Sequence, residues 1–538
     1  MQMDFSALGT VTSDRKPLFL PQGVVATSQH LASRAGLAAL QQGGNAVDAA
    51  LAAAITLTVV EPTSCDVGGD LFALVWDGRT LHGLNGSGRA PTRLTPQEVR
   101  RRGYDELPAE GWLSVTVPGA PAAWAELHRR FGRLPFAGLF AAAIAYAEAG
   151  FPISPTVFWL WRVGVEGTHA HLQGAEYAGF APVFAPGGRP PQIGETWRNP
   201  DLARTLQRIA ESGAEDFYHG ELAERMAAFS TQTDGVLTVA DLAAHRSTWV
   251  KPIHARYRGY DVWELPPNGQ GLAALIALNI LEGFELGTYL RESAERYHLQ
   301  IEAMKLAFAD AHRTIADPER VSVPTAELLS KEFAARRRAL IGKQALLAEP
   351  SAHLAGDTVY LCAADATGRM VSLIQSNSDI FGSHVVVPGT GMALQNRASN
   401  FTLDATHPNY LEPGKRSFHT IMPGVLTRQG APIGPFGVMG GHMQPQGHVQ
   451  MIVNTLDYGL NPQASLDAPR WFWDDARRVK VEPTVAPAIV EALRQRGHDV
   501  DVDGQVAYVG RGQMIWRLPS GIYVAGSEPR ADGCAIGY

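Results

Sequence analysis

Two periodicities divide the chain near residue 350. Up to that point the helical repeat dominates. Residues 31–40 (LASRAGLAAL) gather apolar side chains on one face and run out at Gly43-Gly44, which predicts an amphipathic helix with glycine punctuation. Residues 46–60 (AVDAALAAAITLTVV) are apolar on every side and close at Glu61-Pro62, which predicts a helix buried all round. Residues 71–78 (LFALVWDG) read as a strand ending in an Asp-Gly turn. Further helices are predicted over 120–131, 137–149, 199–212, 271–282 and 291–309. Connectors rich in proline and glycine, such as 184–192 and 265–271, separate them.

Beyond that point the pattern changes. Residues 345–357 (ALLAEPSAHLAGD) are small, polar and turn-prone, and are expected to be exposed. TVYLCAAD (358–365) and RMVSLIQS (369–376) follow as two strands joined by a short Ala-Thr-Gly turn. Later strands are predicted in 433–440, 513–518 and 522–526. The expected fold is α+β, with helices flanking a large, mostly antiparallel sheet system whose core lies after residue 357.

Length and composition narrow the function. The 538 residues admit three or four average domains or one large core, and no repeat at solenoid periods divides them. Hydrophobic content of 45% with 18% charged residues marks a globular chain. With 46 basic and 53 acidic residues the net charge is −7, which gives no electrostatic case for a nucleic acid or membrane partner. Arg336-Arg337-Arg338 are expected on a solvated helix face. Residues 46–60 are too few to span a bilayer comfortably and include Asp48. The first residues lack a basic stretch followed by an apolar one, so a cytoplasmic protein is expected. Cys65, Cys362 and Cys534 are far apart and form no CxxC, so neither a disulfide framework nor a thiolate zinc site is expected.

Several familiar motifs are missing: Walker A, GxGxxG on a strand-to-helix turn, HExxH and GxSxG. Asp499, Asp501 and Asp503 match the front of a calcium loop, but Gly510 stands at the twelfth position, where a bidentate glutamate is needed. His169 and His171 form a pair without a nearby third ligand. No metal and no cofactor is expected.

A threonine hydroxyl attacks a carbonyl only when a base takes its proton. A threonine at a chain terminus brings its own base, because an α-amine titrates near about pH 7.7–8.0. Thr358 would reach that state by cleavage of the Asp357–Thr358 bond. A threonine that opens a strand is more often structural, so its position alone leaves both readings open.

The blocks around it favour the chemical one. VEPTSCDVGGDLFALVWDG (60–78), YRGYDVWELPPNGQG (257–271), DTVYLCAADATGRMVSLIQSNSD (357–379), GVMGGHMQPQG (437–447) and SEPRADGCAIGY (527–538) occur in one order over nearly the whole length. Together they resemble the γ-glutamyltranspeptidase family of N-terminal-nucleophile (Ntn) hydrolases. The resemblance implies a four-layer αββα sandwich and no cofactor. It also implies a precursor that cuts itself between Asp357 and Thr358. Residues 1–357 and 358–538 would then be the large and small chains of one folded heterodimer, with a dimer of heterodimers as a further assembly. Thr358 would be nucleophile and base. Ser376 stands where the family has a hydroxyl that orients the nucleophile, and Gly440-Gly441 where backbone N–H groups form an oxyanion hole.

The same mapping departs from the family in the acyl pocket. Ser87 and Gly88, in NGSGRAP, replace an Arg-Glu pair that binds the substrate carboxylate, and Arg89 could substitute only in a redrawn loop. Ser378, Arg397 and Asn400 replace groups that hold the α-ammonium, and His419-Thr420 replace a Ser-Ser pair. A guanidinium suits a carboxylate and repels an ammonium. The expected substrate is therefore an amide of a small carboxylated acyl group without that ammonium, as in the subgroup that includes oxamate amidohydrolases. The alternatives are true γ-glutamyl hydrolysis or transfer, and an unprocessed relative that binds ligands without turnover.

Overall fold

The computed structural model describes residues 15–348, 357–503 and 509–538. Two seven-stranded sheets form its centre. In one, the strands lie in the order Leu18–Leu20, Tyr523–Ser527, Arg511–Arg517, Ala431–Met439, Gly424–Arg428, Tyr260–Glu264 and Ile253–Tyr257. In the other the order is Cys534–Gly537, Val24–Thr27, Asp357–Ala364, Met370–Ser378, Asp70–Trp76, Leu81–Asn85 and Thr248–Val250. Every pairing within both sheets is antiparallel.

The sheets face each other, with Asp357–Ala364 packed on Ala431–Met439 and Arg511–Arg517. The helices His30–Gln41 and Ala46–Val60 cover the outer side of the second sheet, and Gly271–Leu281 and Met443–Leu456 cover the first. This is the four-layer αββα sandwich that the resemblance implies.

Helices read from periodicity lie where expected. Ala46–Val60 and Ala120–Phe131 agree to the residue. The helix expected over 137–149 is divided into a 3-10 turn, Phe136–Phe140, and an α-helix, Ala141–Ala149. The one expected over 291–309 begins later, at Ala294 after the Ser293 cap, and runs to Thr314. Every residue of Ala46–Val60 is buried, Asp48 included. Asp48 is tolerated there because it closes a capping box with Asn45 and accepts the backbone N–H groups of Arg133 and Leu134.

The sheet core does not lie mainly after residue 357. Half of the fourteen strands precede it, and they interleave with the later ones: Val24–Thr27 pairs with Asp357–Ala364, and Asp70–Trp76 with Met370–Ser378. Most of these early strands are only three to five residues long, too short for an alternating pattern to register.

The segment 345–357 meets the expected exposure only in part: Leu347 is exposed. Residues 349–356 lie outside the described residues, but Ala345 and Asp357 at its ends are buried. Ala345 N–H donates to the Arg496 carbonyl (2.7 Å) and Leu346 N–H to Glu302 (2.8 Å). Arg337 is not simply solvated, since it pairs with Asp310. Asp499–Val502 is a strand, parallel to Arg478–Val481, as its alternation suggested. No helix among the described residues is long and apolar enough to cross a membrane.

Candidate active site

Thr358 lies in the second residue of the strand Asp357–Ala364, in the middle of its sheet, and is fully buried. A register shift between Asp357 and Val359 interrupts the ladder with Met370–Ser378, where Asp357 faces Ser378 and Val359 faces Gln375. Such an irregularity re-aims side chains. Here Ser376 Oγ comes within 3.1 Å of Thr358 Oγ1. Thr358 Oγ1 stands 2.6 Å from the Asp357 carbonyl oxygen, to which the Ser376 hydroxyl donates at 2.7 Å. Ser378, at φ +81°, donates its N–H to Ser376 Oγ (2.8 Å) and so fixes that hydroxyl from behind.

The carboxylate of Asp357 is held on both oxygens. Oδ1 accepts from Arg511 Nη2 (2.5 Å) and from the Thr358 N–H (2.9 Å), and Oδ2 accepts from Ser64 Oγ (2.6 Å). Arg511 also pairs with Glu61 (3.3 Å), whose other oxygen accepts from Ser28. Burial pushes the Glu61 carboxyl up to about 7, against the pull of Arg511.

Gly440 and Gly441 form the turn from the strand Ala431–Met439 into the helix Met443–Leu456. Their φ angles of +117° and +56° suit glycine. The first turn of that helix reaches the threonine: Gln444 Nε2 points at Thr358 Oγ1 across 3.5 Å, while its Oε1 accepts the Met422 N–H (3.0 Å). Gln270 Nε2 holds the Gly441 carbonyl (2.9 Å). A strand-to-helix turn with N–H groups at the helix start can receive developing negative charge.

A second polar cluster adjoins the first, because Asp70 faces Ser376 across the sheet. Asp70 Oδ2 meets His419 Nε2 at 3.1 Å, and Oδ1 accepts the N–H groups of Gly88 (3.2 Å) and Gly119 (3.0 Å). Arg397 Nη1 donates to Thr420 Oγ1 (2.6 Å). Its Nε and Nη2 are buried and have no hydrogen-bond partner. Burial raises the Asp70 carboxyl to about 7, opposed by Arg397 and the two backbone donors. Burial lowers Arg397 to about 10, and burial with the nearby Arg397 charge holds His419 well below its usual range.

The structure does not bring Arg89 into this cluster. Its guanidinium is committed to Asp317 (3.2 Å), Glu319 (2.9 Å) and the Gly414 carbonyl. Nor can position 88 regain a side chain, since a Cβ on Gly88 would lie 1.6 Å from the Val117 carbonyl oxygen. Asn400 lines a cavity of about 780 Å³ together with Phe401, Phe418 and His442, and Arg397 does not line it. Two of its lining residues, Phe418 and His442, are chain neighbours of His419 and Gly441.

One group among the described residues has metal-ligand geometry: His298, Glu302 and His498, all buried, with ligand atoms within 4.8 Å of one another. Lys305 Nζ donates to Glu302 at 2.8 Å, so one of the three is already paired with an ammonium. His169, from the pair noted in the sequence, stacks on Phe180 at 4.1 Å.

Sequence reasoning missed Gln444, Asp70, Ser64, Glu61 and Arg511. Four of these lie in blocks quoted for the resemblance, and the signal for Glu61, Ser64 and Asp70 is a run rich in polar residues, EPTSCDVGGD, directly after a wholly buried helix. Arg511, on a distant strand, had no such signal.

Residues 32–538 match the sequence model of the family described as Gamma-glutamyltranspeptidase. The chain belongs to the γ-glutamyltranspeptidase family. Within it, the chain is 37% identical to the Glutathione hydrolase-like YwrD proenzyme of Bacillus subtilis (strain 168), over 96% of this chain and 98% of that protein. It is 34% identical to the Oxamate amidohydrolase proenzyme of Klebsiella pneumoniae, again over 96% and 98%. The crystal structure of a cephalosporin acylase from Bacillus halodurans superposes with a TM-score of 0.95 at 52% identity, covering 100% of this chain and 99% of that one. The protein is thus an amide-cleaving Ntn hydrolase of the γ-glutamyltranspeptidase family.

Proposed function

We propose that the protein is a self-processing N-terminal-threonine amidohydrolase and acyltransferase. Its substrate is the amide of a small acyl group that carries a carboxylate and no α-ammonium. The observation that carries the substrate class is Arg397, a buried guanidinium with two unpartnered donors, close enough to Asp70 and His419 for its charge to act on both. A buried cation with open N–H groups favours an anionic partner. Both oxygens of the adjacent Asp70 are already engaged, so an ammonium gains little there.

In this reading residues 1–357 and 358–538 are the two chains of the mature enzyme. The Thr358 α-amine takes the proton from Oγ1, which attacks the substrate carbonyl. The Gly440 and Gly441 N–H groups receive the oxyanion, and Ser376 orients the nucleophile. The departing amine takes the proton, and water or a second amine then attacks the ester. Arg397, Thr420, His419, Asn400 and Ser378 shape the acyl side. Two of the related proteins are named for oxamate and cephalosporin amides, which supports acyl groups other than γ-glutamyl.

The test is release of ammonia or amine from oxamate, glutamine and glutathione under one set of conditions. Faster turnover of oxamate is expected. Faster turnover of glutathione contradicts the proposed acyl class.

A further inference from the structure

The residue before the cut is held more tightly than a connecting residue needs. Asp357 is 3% exposed, and its carboxylate accepts from Arg511, Ser64 and the Thr358 N–H at 2.5, 2.6 and 2.9 Å. Glu61 in turn fixes Arg511 at 3.3 Å, and Ser64 lies 3.3 Å from Glu61. Arg511 faces Met439 across its sheet, one residue before Gly440, so this cradle and the glycine turn are built on the same pair of strands.

We infer that Arg511 and Ser64 form a carboxylate cradle that positions Asp357 for self-cleavage. The inference rests on the self-processing reading above and adds a requirement for an acidic side chain at position 357. With the carboxylate anchored, rotation about the Asp357 Cα–C bond is restricted, and its carbonyl is presented to Thr358 Oγ1 at an O···O separation of 2.6 Å. In the step itself a bond forms from Thr358 Oγ1 to the Asp357 carbonyl carbon, and the bond from that carbon to the Thr358 nitrogen breaks. The hydroxyl proton ends on that nitrogen, giving an ester and a free α-amine. Water then hydrolyses the ester to the Asp357 α-carboxylate and the Thr358 hydroxyl. Arg511 and Ser64 touch none of the bonds that change; they are positioning residues. The Asp357 Oδ1 that accepts the Thr358 N–H couples the cradle to the leaving nitrogen.

The experiment follows the conversion of freshly purified full-length precursor into two chains on denaturing gels, with D357N, R511K, R511M and wild type compared. D357N preserves size and shape but gives up the charge that Arg511 pairs with. Loss of one charge-assisted contact is expected to slow cutting by about 10–100-fold. R511K, which retains the charge, is expected to cut faster than R511M, an ordering that a merely space-filling role does not produce. Melting temperatures of the uncut precursors separate slow chemistry from failed folding, and D357N keeps the test valid if R511M does not fold. D357N cutting within about threefold of wild type overturns the inference while leaving self-processing intact. Wild type that is never cut removes the self-processing reading itself.

Discussion

Ser376 Oγ lies 3.1 Å from Thr358 Oγ1, and the carbonyl oxygen of Asp357 is within hydrogen-bonding distance of both hydroxyls. Two hydroxyls thus converge on the one carbonyl that the threonine would attack. One of them is held from behind by the Ser378 N–H. The first prediction concerns Thr358 itself. T358A is expected to remain a single full-length band and to release no detectable amine, while T358S retains a hydroxyl and cuts more slowly than wild type. Activity in T358A rules out the nucleophile assignment.

Ser376 is expected to behave as a positioning group. S376A should slow both self-cleavage and turnover by about 10-fold or more, the scale of one lost hydrogen bond to a reacting group. S376T, which restores the hydroxyl with a stiffer rotamer, should recover most of the rate. Stopped time courses on gels and a steady-state assay of cut enzyme read the two effects separately.

Arg397 is expected to sort substrates by charge. R397Q should lower kcat/KM for a carboxylated acyl amide by about 10–100-fold, the cost of a lost charge-assisted contact. An uncharged acyl amide of the same length should change far less. Equal losses on both substrates would assign Arg397 a structural role.

How much of this was legible in the sequence depends on the kind of signal. The helix Ala46–Val60 and the strand after Asp357 carry long apolar runs, and such runs survive into the structure because burial fixes them. The short strands Val24–Thr27, Leu81–Asn85 and Thr248–Val250 form only because neighbouring strands complete them, so no local window shows them. In the site, Thr358, Ser376 and Gly440-Gly441 could be carried from matched blocks. Arg89 was misplaced because Gly88 packs its backbone onto Val117 and turns the loop toward Asp317 and Glu319. The tie between Arg511 and Asp357 spans 154 positions and exists only through the packing of the two sheets.

Glu61 gives a stability prediction with a definite sign. Its folded pKa of about 7 lies above the ordinary 4.5, with burial as the main cause. The native state therefore holds a proton that the unfolded chain gives up between those values. Its contribution is fully present below about pH 4.5 and is lost as pH rises through about 7. E61Q cannot ionise. Across that window it is expected to gain on wild type by an amount on the order of 3 kcal/mol. Chemical denaturation of both precursors, with self-cleavage blocked by T358A, measures the difference at each pH. A constant offset across the window contradicts the assignment.

The account depends most on the Asp357–Thr358 bond. Intact-mass measurement of the purified protein, with N-terminal sequencing of the smaller species, addresses it directly. The account predicts two chains, the smaller beginning at Thr358 with a free α-amine. A single uncut chain in an enzymatically active preparation would contradict it.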